Sequence, residues 1–187
     1  MRLVTTMTLL VGILLVFVLT PGACLAGKDS KAPDFTLANL EGKDVTLSEL
    51  LVEGPVIVDF WATWCKPCIK GFPGLQELFD KYKDRGLKVV AVSIDSPKSR
   101  SRVGPFIKSK KYSFEVLLDT QGRVAKKYNA ITIPRAVLID TDGEIACATV
   151  GYRPSNHEQM EKSLLPLLPE KKAESPEKPI EGGEVVE

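Results

Sequence analysis

The sequence predicts an α/β sandwich, a mixed sheet with helices on both faces, and three observations predict it. β-branched apolar runs at 55–60 and 87–94 are separated by a long stretch of helical periodicity, the pattern of parallel strands joined by a crossover helix. Further on, Thr141-Asp142-Gly143 joins two apolar runs, a strong signal for an antiparallel hairpin. An amphipathic segment follows that hairpin, so parallel units finished by a hairpin and a helix place helices on both faces of one sheet.

Taken in order, Asp34-Phe35-Thr36-Leu37 and Asp44-Val45-Thr46-Leu47 flank a glycine turn at Gly42 and read as a leading hairpin. Thr46 and Glu49 have capping-box spacing, which predicts a short helix with Thr46 as its cap. Pro55-Val56-Ile57-Val58-Asp59-Phe60 is a buried central strand carrying one carboxylate. Cys68, Phe72, Leu75, Phe79 and Tyr82 recur at steps of four and three, one face of a helix that ends near Gly86 and that Pro73 should kink. The run 87–94 is the second strand, 102–111 a helix, 114–118 a third strand and 121–128 a short helix. Strands at 135–140 and 144–150 form the hairpin, and a last helix starts at Ser155 and buries Met160, Leu164 and Leu168.

The two ends differ in kind from this middle. Residues 3–27 carry no charge and centre on an apolar run from Leu9 to Leu19, an export segment. Over 1–26 it reads either as a cleaved signal peptide, with Cys24 and Ala26 giving a small-x-small site, or as a retained membrane anchor. Cys24 also offers a lipidation site, although Pro21 stands where the lipoprotein pattern usually has leucine. Residues 169–187 are rich in Pro, Glu and Lys without apolar periodicity and are expected to be a disordered charged tail. One folded domain at 31–168 remains. The net charge of +1 gives no basic footprint for nucleic acid, which is excluded as the main partner.

Cys65 and Cys68 are two residues apart, a spacing that suits zinc, a structural bridge or redox work. Zinc needs four ligands, and Cys147, Cys24 and the lone His157 form no second pair with ligand spacing. A structural bridge would close a tiny loop and constrain the unfolded chain little. Redox work has a physical warrant, because Cys65 falls where a strand ends and a helix begins. Free backbone N–H groups and the positive helix end stabilise a thiolate there. Cys65 is thus the attacking thiol. Cys68, one turn on and facing the apolar side, keeps its proton until it resolves the mixed disulfide.

The segment Val58-Asp59-Phe60-Trp61-Ala62-Thr63-Trp64-Cys65-Lys66-Pro67-Cys68 resembles the active site of thioredoxins. With the lead-in Ala32-Pro33-Asp34-Phe35-Thr36-Leu37 and an insertion between the central strands, residues 31–165 are similar to the extracytoplasmic TlpA/ResA-like branch. The resemblance implies a thioredoxin fold with an N-terminal hairpin and a central insertion. It also implies a protein-disulfide reductase with no bound metal or cofactor, acting outside the cytoplasm on protein thiol and disulfide clients, often apocytochrome c, and recharged by a membrane-embedded electron donor. Membrane association would run through the N-terminal segment.

Residue by residue, the resemblance makes Ile133-Pro134 the cis-proline loop that pairs with the substrate backbone, a bond type that only proline makes cheap. Trp64, Lys66 and Pro67 complete the substrate-facing rim, with Trp61 and Trp64 packing around the site and Lys66 tuning charge. Asp59 matches the buried aspartate of thioredoxins. Desolvation should raise its pKa, which suits a group that accepts the Cys68 proton through water. The ResA-like pattern has a glutamate three residues after the second cysteine, but this chain has Gly71, so that role does not carry over. Cys147 reads as a small, unpaired core thiol and His157 as a surface helix residue. Two other functions compete. A thiol peroxidase is one, since the lead-in also opens many peroxiredoxins, yet Ala62 stands where that family has threonine. The other is a redox-poised binding module or chaperone without net electron transfer.

Overall fold

The computed structural model of the chain describes residues 30–169. Residues 1–29, where an export segment with Cys24 is expected, and residues 170–187, where a charged tail is expected, lie outside the described residues. Among those described, no helix is long and apolar enough to cross a membrane.

The elements follow the expected order: β1 (Thr36–Ala38), β2 (Asp44–Thr46), α1 (Leu47–Glu53), β3 (Val56–Trp61), α2 (Lys66–Tyr82), β4 (Lys88–Ser93), α3 (Val103–Lys110), β5 (Glu115–Leu118), α4 (Arg123–Lys127), β6 (Arg135–Ile139), β7 (Ile145–Val150) and α5 (Ser155–Leu164). Five strands form one sheet in the order β5-β4-β3-β6-β7. β3, β4 and β5 run parallel, while β6 and β7 are antiparallel additions. This is a thioredoxin-like fold. Between β4 and β6 the chain forms α3, β5 and α4.

β3 is central, and its alternation sorts the core into two layers. Ile57 and Trp61 face α2, α3 and α5, where Phe72, Leu75, Ile107, Met160 and Leu164 pack. Val56, Val58 and Phe60 face α1 and α4, with Leu47, Leu51, Val124 and Tyr128. Asp59 therefore points to the α2 side, by the period of two. Before β1 the chain pairs Lys31 with Glu144 at the start of β7, crosses the sheet through buried Phe35, and pairs Asn39 with Leu117 of β5. One strap touches both edges.

Three local expectations are corrected. Thr46 makes no cap hydrogen bond. Its hydroxyl lies 3.1 Å from that of Thr36 across the hairpin, and Asp34 caps α1 instead, accepting from the Ser48 N–H at 3.1 Å and the Ser48 hydroxyl at 2.9 Å. On α2 the buried stripe runs Cys68, Phe72, Leu75, Leu78, Tyr82, with Leu78 taking the inward position expected for Phe79. The helix continues past Pro73, whose side is exposed, and closes through a 3-10 turn to Gly86 at φ +96°. Cys147 is fully buried in β7 and disulfide-bonded rather than an unpaired thiol, which takes its sulfur out of thiolate chemistry.

Candidate active site

The end of β3 and the start of α2 are held together by a tight turn in which the Cys65 N–H donates to the Ala62 carbonyl at 3.0 Å. That turn makes Cys65 the N-cap of α2, and its Sγ accepts from the Cys68 N–H at 3.2 Å. An N-cap side chain answers one of the orphan donors of a first helical turn, and here sulfur takes that place. The two cysteines are bonded to each other, so the structure shows the oxidised form. Cys65 is 4% exposed and Cys68 1%. Around this buried pair Trp64 (60% exposed), Lys66 and Pro67 form an open rim.

Behind the pair lies a cavity of about 40 Å³, lined among others by Asp59, Cys68, Gly71, Pro134, Tyr152 and His157. Its walls are largely apolar, but Asp59, Thr149, Asn156 and His157 among them offer polar partners, and the volume is enough for one or more waters. Asp59 is 6% exposed, and burial, with nothing opposing it, pushes its carboxyl up to about 8. The Ile133–Pro134 peptide is cis, and Pro134 closes the cavity beside Cys68 while Ile133 packs into both core layers. The structure thus gathers Asp59, Cys65, Cys68 and Pro134 at one point.

Two features escape sequence reading. Asp95, just past β4, accepts from the Thr63 N–H at 2.8 Å, the Thr63 hydroxyl at 2.7 Å and the Ser93 hydroxyl at 3.0 Å. It clamps the loop that presents Cys65. A carboxylate at the C-terminal end of a central parallel strand was the available signal. The second is His157, which is half-buried rather than a surface residue and shares the Asp59 cavity. Its ring sits over α2 because residue 74 is glycine: a Cβ there would lie 2.5 Å from His157 Nδ1. The space beside Gly71 is met by Tyr152, whose Cδ2 would lie 3.4 Å from a Cβ at that position. Tyr152 thus abuts the position where the ResA-like pattern places its glutamate. Among the described residues no cluster of three or more His, Cys, Asp or Glu could hold a metal ion.

The AhpC/TSA family profile matches residues 29–148. The chain belongs to that family. Within it, the thiol-disulfide oxidoreductase ResA of Bacillus thuringiensis subsp. konkukian is 36% identical over 139 residues, covering 74% of this chain and 78% of that protein. The sporulation thiol-disulfide oxidoreductase A of Bacillus subtilis is 32% identical over 164 residues, covering 86% and 95%. Among solved structures, one assigned as the thiol:disulfide interchange protein DsbE of Chlorobium tepidum superposes with TM-score 0.69 at 34% identity, over 76% of this chain and 98% of that one. This member of the family is a thioredoxin-like thiol-disulfide oxidoreductase, with Cys65 and Cys68 as its cysteine pair.

Proposed function

We propose that this oxidoreductase works as a reductase of protein disulfides outside the cytoplasm, with Cys65 as nucleophile, Cys68 as resolving thiol and Asp59 as the acceptor of the Cys68 proton. One observation carries the reading: Cys68, Asp59 and Pro134 line a single cavity. In the reduced protein the Cys68 N–H and the helix end face the Cys65 sulfur and favour its thiolate. That thiolate attacks a client disulfide, forms a mixed disulfide and releases one client thiolate. Cys68 passes its proton toward Asp59, attacks Cys65 Sγ and expels the second client thiolate. The client gains two electrons, and the enzyme is left with the Cys65–Cys68 bond.

Pro134, Ile133, Trp64, Lys66 and Pro67 form the surface that receives the client backbone, with exposed Trp64 as its apolar contact. Apocytochrome c is the client that the resemblance suggests, the export segment supplies the location, and a membrane-embedded dithiol donor restores the reduced state. A peroxidase reading is not favoured, because buried Ala62 offers no hydroxyl three positions before Cys65. Redox titration against dithiothreitol or glutathione tests the direction. The expected potential lies nearer about −270 mV than −120 mV, and a value above about −180 mV overturns the reductive reading. In parallel, Cys68→Ser should accumulate mixed disulfides with exported proteins, identified by mass spectrometry.

A further inference from the structure

Asp59 sits at about 8, so near neutral pH it holds a proton and must be emptied before it can accept one from Cys68. It is 6% exposed, which leaves the question of where that proton goes. Another wall of the cavity can carry it. His157 lines the Asp59 cavity on its inner side, and on its outer side it lines a separate cleft with Glu77, Lys81, Glu158 and Glu161. It lines both spaces. Gly74 is what brings it there, since a side chain at that position would occupy the ring's place.

We propose that His157 carries the proton between the Asp59 cavity and the outer cleft, an exit path that rests on the role given to Asp59 above. The Gly71 carbonyl favours the protonated ring, and a neutral imidazole keeps one nitrogen as an acceptor. Burial holds the imidazole below its usual range, against the opposing pull of the Gly71 carbonyl and Glu77, so the neutral, accepting form prevails near neutral pH. The groups facing the ring suit a transient charge. Glu77 favours the imidazolium, Lys81 is bonded to Glu161 at 2.7 Å and the two offset each other, Glu158 lies at the cleft, and Tyr152 stands on the cavity side with its ring centre 6.4 Å away. Protonated Asp59 gives its proton through cavity water to the imidazole. The imidazolium releases a proton to water in the cleft. The emptied carboxylate then takes the Cys68 proton, Cys68 sulfur attacks Cys65, and the client thiolate departs with the electron pair of the broken S–S bond.

The test uses the reduced protein and a symmetrical aryl disulfide that releases a coloured thiolate at each step, followed by stopped-flow absorbance against pH. The first phase reports attack by Cys65, the second resolution by Cys68. His157→Gln keeps a hydrogen-bonding side chain of similar reach and removes the titrating ring. It should slow the second phase about tenfold near neutral pH, below the range for full general acid–base catalysis. The deficit should close well above pH 8, where Asp59 is already ionised. In His157→Ala, added imidazole should restore the second phase, while pyrazole, of the same shape but not basic at neutral pH, should not. A second phase equal to wild type in His157→Gln, a deficit constant with pH, or equal rescue by pyrazole overturns the relay. Asp59→Asn separates the two readings. If it is slow while His157→Gln matches wild type, only the relay fails; if it matches wild type, the Asp59 role fails and takes the relay with it.

Discussion

Asp59 and Asp95 are both buried carboxylates at the cysteine end of the molecule, one within β3 and one just beyond its parallel neighbour β4, yet their wiring is opposite. Asp95 accepts three hydrogen bonds from Thr63 and Ser93 and ties down the loop before Cys65. Asp59 faces a small cavity, and its carboxyl is shifted by burial alone. A buried acid whose oxygens are all engaged holds geometry. One left without compensating donors is set to exchange a proton. Proximity to the cysteines therefore does not assign a role; the hydrogen-bond partners do.

The largest expected effect separates the two by pH. The Asp59 carboxyl lies at about 8 in the fold and near 3.9 in the unfolded chain, so between those values the native state binds the extra proton. Stability should fall as pH rises through this window, by up to about 5 kcal/mol if the whole shift is realised. Denaturant titrations of the disulfide form from pH 5 to 9 check it. Asp59→Asn should flatten the profile and gain most over wild type at the alkaline end. Parallel curves would place Asp59 with Asp95 as a structural acid.

Next in size, Asp95→Ala orphans the Thr63 N–H and two hydroxyls inside the fold, and should cost about 3 kcal/mol in the same titration. A loss below about 1 kcal/mol would mean that the clamp is not holding the loop. The smallest effect sharpens this: Thr63→Val removes only the hydroxyl donor and keeps the N–H bond, for an expected cost of about 1 kcal/mol. If Thr63→Val cost as much as Asp95→Ala, the hydroxyl alone would carry the clamp.

What was legible in the sequence was what is local. Cys65, Cys68 and Asp59 lie within ten residues, and strand alternation alone fixes the side on which Asp59 points. The hairpin at Asp142-Gly143 was readable from turn chemistry alone, and the proline loop at Ile133-Pro134 from the family resemblance. The misses are contacts made across the fold. Thr63 and Asp95 are 32 positions apart, and no spacing rule links them. His157 reads as a helix-surface histidine until α5 is laid against Gly71 and Gly74, because a glycine announces room without saying what fills it. Thr46 was misassigned for the same reason: a capping box is a local pattern, and a hydroxyl across the hairpin together with Asp34 outcompeted it.

The strap from Lys31 to Asn39 sets the timing of assembly. Its ends reach β7 and β5, and Lys31 donates to the Asp142 carbonyl across 111 positions. Contacts of such separation must wait for most of the chain, and the loop-closure entropy they require slows their formation. Until then Leu117 of β5, and Glu144 and Ile145 at the start of β7, lack these backbone partners, and unpaired edge groups are the surfaces through which sheets of different molecules join. The strap thus acts as a late fastener on both margins of the sheet, and the interval before it docks is when a nascent copy is most open to edge-to-edge association with another.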